Sequence, residues 1–257
     1  MTPEELQLIA DDVGDLDGWD FSRVRVVEDP PPWQYNEVVR QHLQPHSVVL
    51  DLGTGGGEAF LEFAPHIFHG YGIEQNEERL RVAARNQRKA RVESVRFAAM
   101  NVDRLGFRDN SFDLILARYA GFSVAEVLRL LRPGGVFITQ QMGDRDTQNI
   151  FDAFDWGSYG NYWRDQYALQ GVYYKPIVES AKEFEAAGCT VLRYDEYDLP
   201  QYHQDVGSLV FFLKASPLPW PFDPQTYAAP LTRLLQTHGS ERGIETNAHR
   251  ELLIVRR

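Results

Sequence analysis

Between residues 47 and 142, short apolar runs alternate with stretches whose apolar residues recur every three or four positions. "SVVLDL", "HGYGIE", "VRFAAM", "FDLILAR" and "GGVFITQQM" are too short for helices and too apolar for surface loops, so each reads as a strand buried on both faces. Between them, a helix begins near Phe60 and Phe63, and "NEERLRVAARNQRKARV" and "SVAEVLRLL" carry the helical period. Further on, "IVESAKEFEAAG" predicts another helix with Gly188 as its C-terminal cap, and "TVLRYDEYD" and "HRELLIVRR" predict two more strands. Strands joined by helices predict an α/β fold, a doubly wound and mostly parallel seven-stranded sheet with crossover helices.

Three segments break that rhythm. Residues 1–46 precede the first strand as an N-terminal segment, and "DPPPWQYNE" within it enforces an extended approach to a short helix. Residues 143–176 are an insertion crowded with aromatics from Phe151 to Tyr174. Residues 199–247 separate the last two strands and contain "VGSLVFFLKA", "SPLPWPFDP" and a helical stretch near "YAAPLTRLLQ". Insertions of this length and aromatic content read as ordered lids on one domain, residues 47–257, with the N-terminal segment as part of the cover.

A net charge of −11 argues against a protein that wraps nucleic acid, which needs clustered cations to displace counterions. The basic stretch from Arg79 to Arg91 reads instead as a solvated helix face whose last cations complement the helix dipole. No run of about 18 apolar residues exists to span a membrane. Cys189 is the only cysteine, which excludes an intrachain disulfide or a cysteine zinc cluster and fits a reducing, cytoplasmic setting. His66 and His69 in "HIFH" lack a third ligand at metal-binding spacing, so no metal is expected.

The first strand ends in "DLGTGGG", four glycines in five residues. So much bare backbone after a buried strand implies close approach by something. A dinucleotide loop, G-x-G-x-x-G, fails here: counted from Gly53, the third glycine position holds Glu58, an acid where a pyrophosphate should lie. The pattern D-x-G-x-G-x-G is met in full by Asp51, Gly53, Gly55 and Gly57. Glu74 ends the second strand, where a carboxylate can take the hydroxyls of a ribose. "MNVDRLGFRDNSFDLILAR" and "VLRLLRPGGVFI" follow in order. In these four features the chain resembles the class I S-adenosyl-L-methionine-dependent methyltransferases, which have a Rossmann-like fold.

The resemblance, firm over residues 36–142, implies S-adenosylmethionine as cofactor. It assigns Asp51, Gly53, Thr54, Gly55 and Gly57 to its methionyl part, Glu74 to its ribose, and Asn101 and Val102 to its adenine. Asn101 stands where the family usually has Asp, and its carbonyl oxygen can accept the same hydrogen bond. Arg118, at the end of the fourth strand, is assigned to the same cofactor set, with an acidic acceptor group or a strand-end carboxylate as its other partners. "YHQDVGSLVFFLKASPLPWPF" is similar to a segment of a little-characterised bacterial subgroup related to the ubiquinone-biosynthesis (type 11-like) enzymes, which implies a small-molecule acceptor.

Methyl transfer from a sulfonium is an in-line displacement in which alignment alone can be worth roughly 7–11 kcal/mol. A base is needed only when the acceptor must lose a proton. Candidate bases are His203, Tyr119 and, behind them, Tyr202. Trp156, Tyr159, Tyr162 and Trp163 are candidates for an aromatic wall against a flat or cationic acceptor. Residues 117–120 read Ala-Arg-Tyr-Ala, so the N/D-P-P-Y/F clamp for planar amines is missing. Cys189 follows the last helix and reads as a small apolar residue rather than a nucleophile. Three alternatives stay open: an RNA methyltransferase using the basic helix, a non-catalytic S-adenosylmethionine-binding protein, and an aminopropyl transferase, for which Asp113 is the one acid on offer.

Overall fold

The computed structural model describes residues 1–15, 22–169, 175–216 and 221–257. Tyr173 and Tyr174 of the aromatic insertion, and residues 217–220 of the subgroup-like segment, lie outside the described residues. In chain order the first elements are α1 (Pro3–Val13), β1 (Val26–Glu28), α2 (Tyr35–Arg40), β2 (Val48–Leu52), α3 (Glu58–Leu61), β3 (His69–Glu74), α4 (Glu77–Ala90) and β4 (Val95–Ala99). There follow β5 (Phe112–Arg118), α5 (Val124–Leu130), β6 (Leu131–Met142), α6 (Gln148–Ala153), α7 (Tyr159–Leu169) and α8 (Ile177–Ala186). The last are β7 (Thr190–His203), α9 (Val206–Ala215), α10 (Pro224–His238), β8 (Gly239–Ser240) and β9 (Gly243–Arg256).

Local chemistry sets several of these boundaries. Asn76 caps α4 by accepting from the N–H groups of Glu78 and Arg79, and the helix stops at Arg91 in the left-handed conformation. Its first turn carries Glu77 and Glu78 and its last Arg88 and Lys89, each the sign the helix dipole favours. Asp205 and Asp223 cap α9 and α10 in the same way.

The chain divides into two compact units, one of residues 1–31, 143–174 and 197–250, the other of residues 32–142, 175–196 and 251–257. Residues 32–46, read above with the N-terminal segment, thus belong to the second unit. The sheet has nine strands, two more than the alternating pattern predicts, and through this unit it runs β7-β9-β6-β5-β2-β3-β4 in the doubly wound manner expected. The pairs β2–β3, β2–β5, β3–β4 and β5–β6 are parallel. Leu50, Leu52, Ile73, Ile115, Phe137, Phe184, Leu253 and Val255 form its core. The Pro133-Gly134-Gly135 turn is absorbed into β6, where Gly134 takes φ +81° and the register with β5 shifts between Phe112 and Leu114.

In the first unit, residues 201–203 of β7 pair antiparallel with β1, and β8 pairs with the start of β9. Its core joins Leu6 and Ala10 of α1 to Ile150 and Phe154, to Leu209, Val210 and Leu213 of α9, and to Tyr227, Leu231 and Leu234 of α10.

Candidate functional site

Parallel strands bring their carboxyl ends to one edge of the sheet, so the residues after β2, β3, β4 and β5 converge there without being near in sequence. Asp51, the glycine loop, Glu74, Asn101, Val102, Arg118 and Tyr119 all occupy such positions in the second unit. His203, Trp156, Tyr159, Tyr162 and Trp163 belong to the first.

The loop glycines do different jobs. Gly53, Gly55 and Gly57 all have positive φ, at +68°, +56° and +77°. A Cβ on Gly53 would lie 2.4 Å from the Ala120 Cβ, and one on Gly57 would lie 2.6 Å from the Phe97 ring. Those two are filled by the protein itself. A Cβ on Gly55 would meet nothing within 4 Å, so this is the glycine whose open face a ligand can use. The Gly55 N–H donates to Glu74 Oε2 at 3.2 Å, which ties the loop to the end of β3. The other Glu74 oxygen accepts from the N–H groups of Gln75 and Asn76 at 2.8 and 3.0 Å. Arg79 lies 3.8 Å from the same carboxylate.

Asp51 lies at the base of the loop, still in partial contact with solvent. Enclosure by the protein pushes its carboxyl up to about 7, with the Thr54 hydroxyl and the Arg118 charge drawing it partway back. Asn101 uses its side-chain oxygen to accept the Asp103 N–H at 2.8 Å, shaping a tight turn to Arg104. Val102 packs against the core of the second unit.

Beyond β5 the chain turns sharply at Tyr119, a bulky residue at φ +53°, held by its N–H donating to the Gln140 carbonyl at 2.9 Å. Three residues that sequence reasoning missed complete this corner. Gln140, buried on β6, accepts from Trp33 Nε1 at 2.8 Å and donates from Nε2 to the Tyr119 hydroxyl at 2.7 Å. Tyr35 is buried with its hydroxyl 3.5 Å from the Ile138 carbonyl, and burial raises its phenol well above the ordinary value. The Arg118 guanidinium carbon lies 5.2 Å from the Tyr35 ring centre and 5.3 Å from that of Tyr119. Two signals in the sequence pointed here: a glutamine inside an apolar strand, and paired aromatics directly after three prolines.

The first-unit candidates have other surroundings. His203 is buried, its Nδ1 is 3.1 Å from the Ser208 hydroxyl, and burial lowers its imidazole to about 4. It is neutral at physiological pH and a weak base. Trp156 packs on Phe151, Phe154 and Tyr227 at 5.5, 4.5 and 5.7 Å between ring centres. Tyr159 and Tyr162 also pack on Phe151, and Trp163 packs on both of them. Cys189 packs against the second-unit core, where burial raises its thiol. Asp113 pairs with Arg132 at 2.7 Å and accepts the Val48 N–H at 2.8 Å, at the amino end of β5. Among the described residues no cluster suited to a metal occurs, and no helix is long and apolar enough to cross a membrane.

Comparison with known proteins agrees with this frame. The model of the family described as "Methyltransferase domain" matches residues 43–182. The uncharacterised methyltransferase YcgJ of Bacillus subtilis is 36% identical over 97 residues, 35% of this chain and 38% of the relative. The ubiquinone/menaquinone biosynthesis C-methyltransferase UbiE of Hydrogenovibrio crunogenus is 25% identical over 138 residues, 49% of this chain and 54% of the relative. The matches thus span between about a third and about half of these curated relatives' lengths. The crystal structure of the Bacillus YcgJ protein superposes with a TM-score of 0.62 at 21% identity, covering 87% of this chain and 97% of that one. A geranyl diphosphate methyltransferase solved with S-adenosylmethionine superposes at 0.55 and 13% identity, covering 86% and 84%. These likenesses establish the fold. The chain belongs to the methyltransferase-domain family, within the type 11-like group of class I S-adenosylmethionine-dependent methyltransferases.

Proposed function

We propose that this chain transfers a methyl group from S-adenosylmethionine to a small-molecule acceptor. On this reading the 53–57 loop, Asp51, Glu74, Asn101 and Val102 hold the cofactor. The observation that carries it is Gly55, a left-handed glycine whose missing side chain leaves open space while its N–H is anchored on Glu74. Bound there, S-adenosylmethionine supplies an electrophilic methyl on a sulfonium, so the protein's task is to orient and to exclude water. Glu74 has about four lone-pair sites, and backbone donors take three of them. One remains for a ribose hydroxyl, and the 3.2 Å bond from Gly55 is the longest of the three and the one a second hydroxyl would displace.

A relative named for ubiquinone and menaquinone biosynthesis supports a small acceptor. So does the lack of a planar-amine clamp at residues 117–120. Of the candidate bases, Tyr119 stands with the cofactor set and is the one this reading uses. Calorimetry with S-adenosylmethionine, S-adenosylhomocysteine and NAD tests the cofactor, and NAD binding in place of the other two would overturn it. Glu74→Gln keeps one oxygen, which can go on accepting from Gln75 and Asn76, but sets an amide nitrogen against the Gly55 N–H and removes the charge, and should weaken nucleoside binding about tenfold or more. Labelled methyl transfer into a metabolite extract then tests catalysis.

A further inference from the structure

The corner beyond β5 holds Arg118, which the resemblance groups with the cofactor set and whose charge acts on Asp51. Arg118 makes no ion pair among the described residues, although it lies exposed at a strand end beside the glycine loop. Besides acting on Asp51, it has the Tyr35 and Tyr119 rings both within cation–π range. A guanidinium held by ring contacts spends no carboxylate partner on its N–H donors, and a planar anion can meet such donors in pairs.

The corner is also ordered in one direction. A tryptophan N–H can only donate, so Trp33 makes the Gln140 Oε1 the acceptor and Nε2 the donor. Gln140 Nε2 then donates to the Tyr119 hydroxyl and fixes that ring beside Arg118. Strain at Tyr119 persists because this bond and the N–H bond to the Gln140 carbonyl hold it from both ends. The sheet order separates two groups of residues along the carboxyl edge. Glu74 and Asn101 follow β3 and β4 on one side of β2, whereas Arg118, Tyr119 and Gln140 lie on β5 and β6, on the other.

We propose that Arg118, held beside the Tyr35 and Tyr119 rings, receives a carboxylate-type group of the methyl acceptor, so that the substrate is an acid, and that Gln140 and Trp33 are positioning residues for it. The proposal rests on the methyltransferase reading and names its substrate class.

The test uses the full chain saturated with S-adenosylhomocysteine and the probe pair benzoate and benzamide, matched in shape and differing in charge, followed by ligand-observed NMR. Wild type should prefer benzoate by about tenfold, the worth of one charge-assisted hydrogen bond. Arg118→Met should abolish the preference and Arg118→Lys should restore part of it. Trp33→Phe and Gln140→Leu should reduce it severalfold; a merely structural role would weaken both probes together. Tyr119→Phe, which on an exposed residue removes only the hydroxyl that accepts from Gln140, covers the case in which the buried variants fail to fold, and should also reduce the preference. No benzoate preference in wild type, whether both probes bind or neither does, overturns the proposal.

A second arm compares S-adenosylhomocysteine with its decarboxylated form on wild type and Arg118→Met. If their affinity ratio collapses in the variant, Arg118 reads the cofactor's own carboxylate and the acid-acceptor proposal fails while the methyltransferase reading stands. Failure of wild type to bind S-adenosylhomocysteine, seen before any probe is added, removes that reading and this one with it.

Discussion

Aromatic rings are used in opposite ways in the two units. In the first, Phe151, Phe154, Trp156, Tyr159, Tyr162, Trp163 and Tyr227 pack on one another, and the ring at their centre, Phe151, is fully buried. In the second, Tyr35 and Tyr119 flank a guanidinium at the end of a strand, and one of them sits in a strained backbone conformation. Rings whose neighbours are rings bury one another; rings turned on a charge where strand ends converge are the material of the site proposed above. The glycine loop repeats the contrast on a smaller scale, with Gly53 and Gly57 closed by the protein and Gly55 left open.

The strongest way to break this comparison is Phe151→Ala. It should cost about 3–5 kcal/mol of stability, read by thermal unfolding, with S-adenosylhomocysteine affinity retained while the chain is folded. Lost affinity with an unchanged melting temperature would place that cluster in the site after all.

Next comes the pair Gly57→Ala and Gly55→Ala. The first drives a methyl into the Phe97 ring and should destabilise by about 1–3 kcal/mol. The second should cost only about 1 kcal/mol, the strain of a left-handed alanine, yet weaken cofactor binding about tenfold or more. Equal behaviour of the two variants would erase the distinction between closed and open glycines.

The smallest effect concerns Asp51. Its carboxyl is raised to about 7 in the folded chain, so the native state holds a proton that the unfolded state releases. Stability contributed by this group is therefore lost as pH rises from about 4 to about 7, and is level above that. On the proposed reading the methionyl ammonium of S-adenosylmethionine favours the ionised carboxylate, so binding should tighten severalfold between about pH 6 and about pH 7.5, with a proton released. Calorimetry in buffers of different ionisation enthalpy measures that proton, and Asp51→Asn should abolish it.

Much of this was legible along the chain because it depends on near neighbours. The glycine run after β2, Glu74 at the end of β3, the capped α4 and the alternation of strand and helix are set by backbone sterics and by period, each contained within a few residues. Gly188 and the Pro133-Gly134-Gly135 turn are of the same kind, although the latter emerged as an irregularity inside β6 rather than as a separate turn. Order was enough to line these pieces up, since a parallel sheet carries every strand's carboxyl end to one edge.

What the chain could not announce are pairings between residues remote in sequence. Trp33 and Gln140 are 107 positions apart, and Tyr35 and Ile138 are 103 apart; no local pattern marks either as a partner. Nor could composition tell that the tryptophans and tyrosines of residues 151–163 would satisfy one another, or that burial would hold His203 neutral. Propensity and periodicity act over one or two turns of chain, whereas the neighbours that decide a side chain's charge, exposure and partners arrive only when distant segments pack.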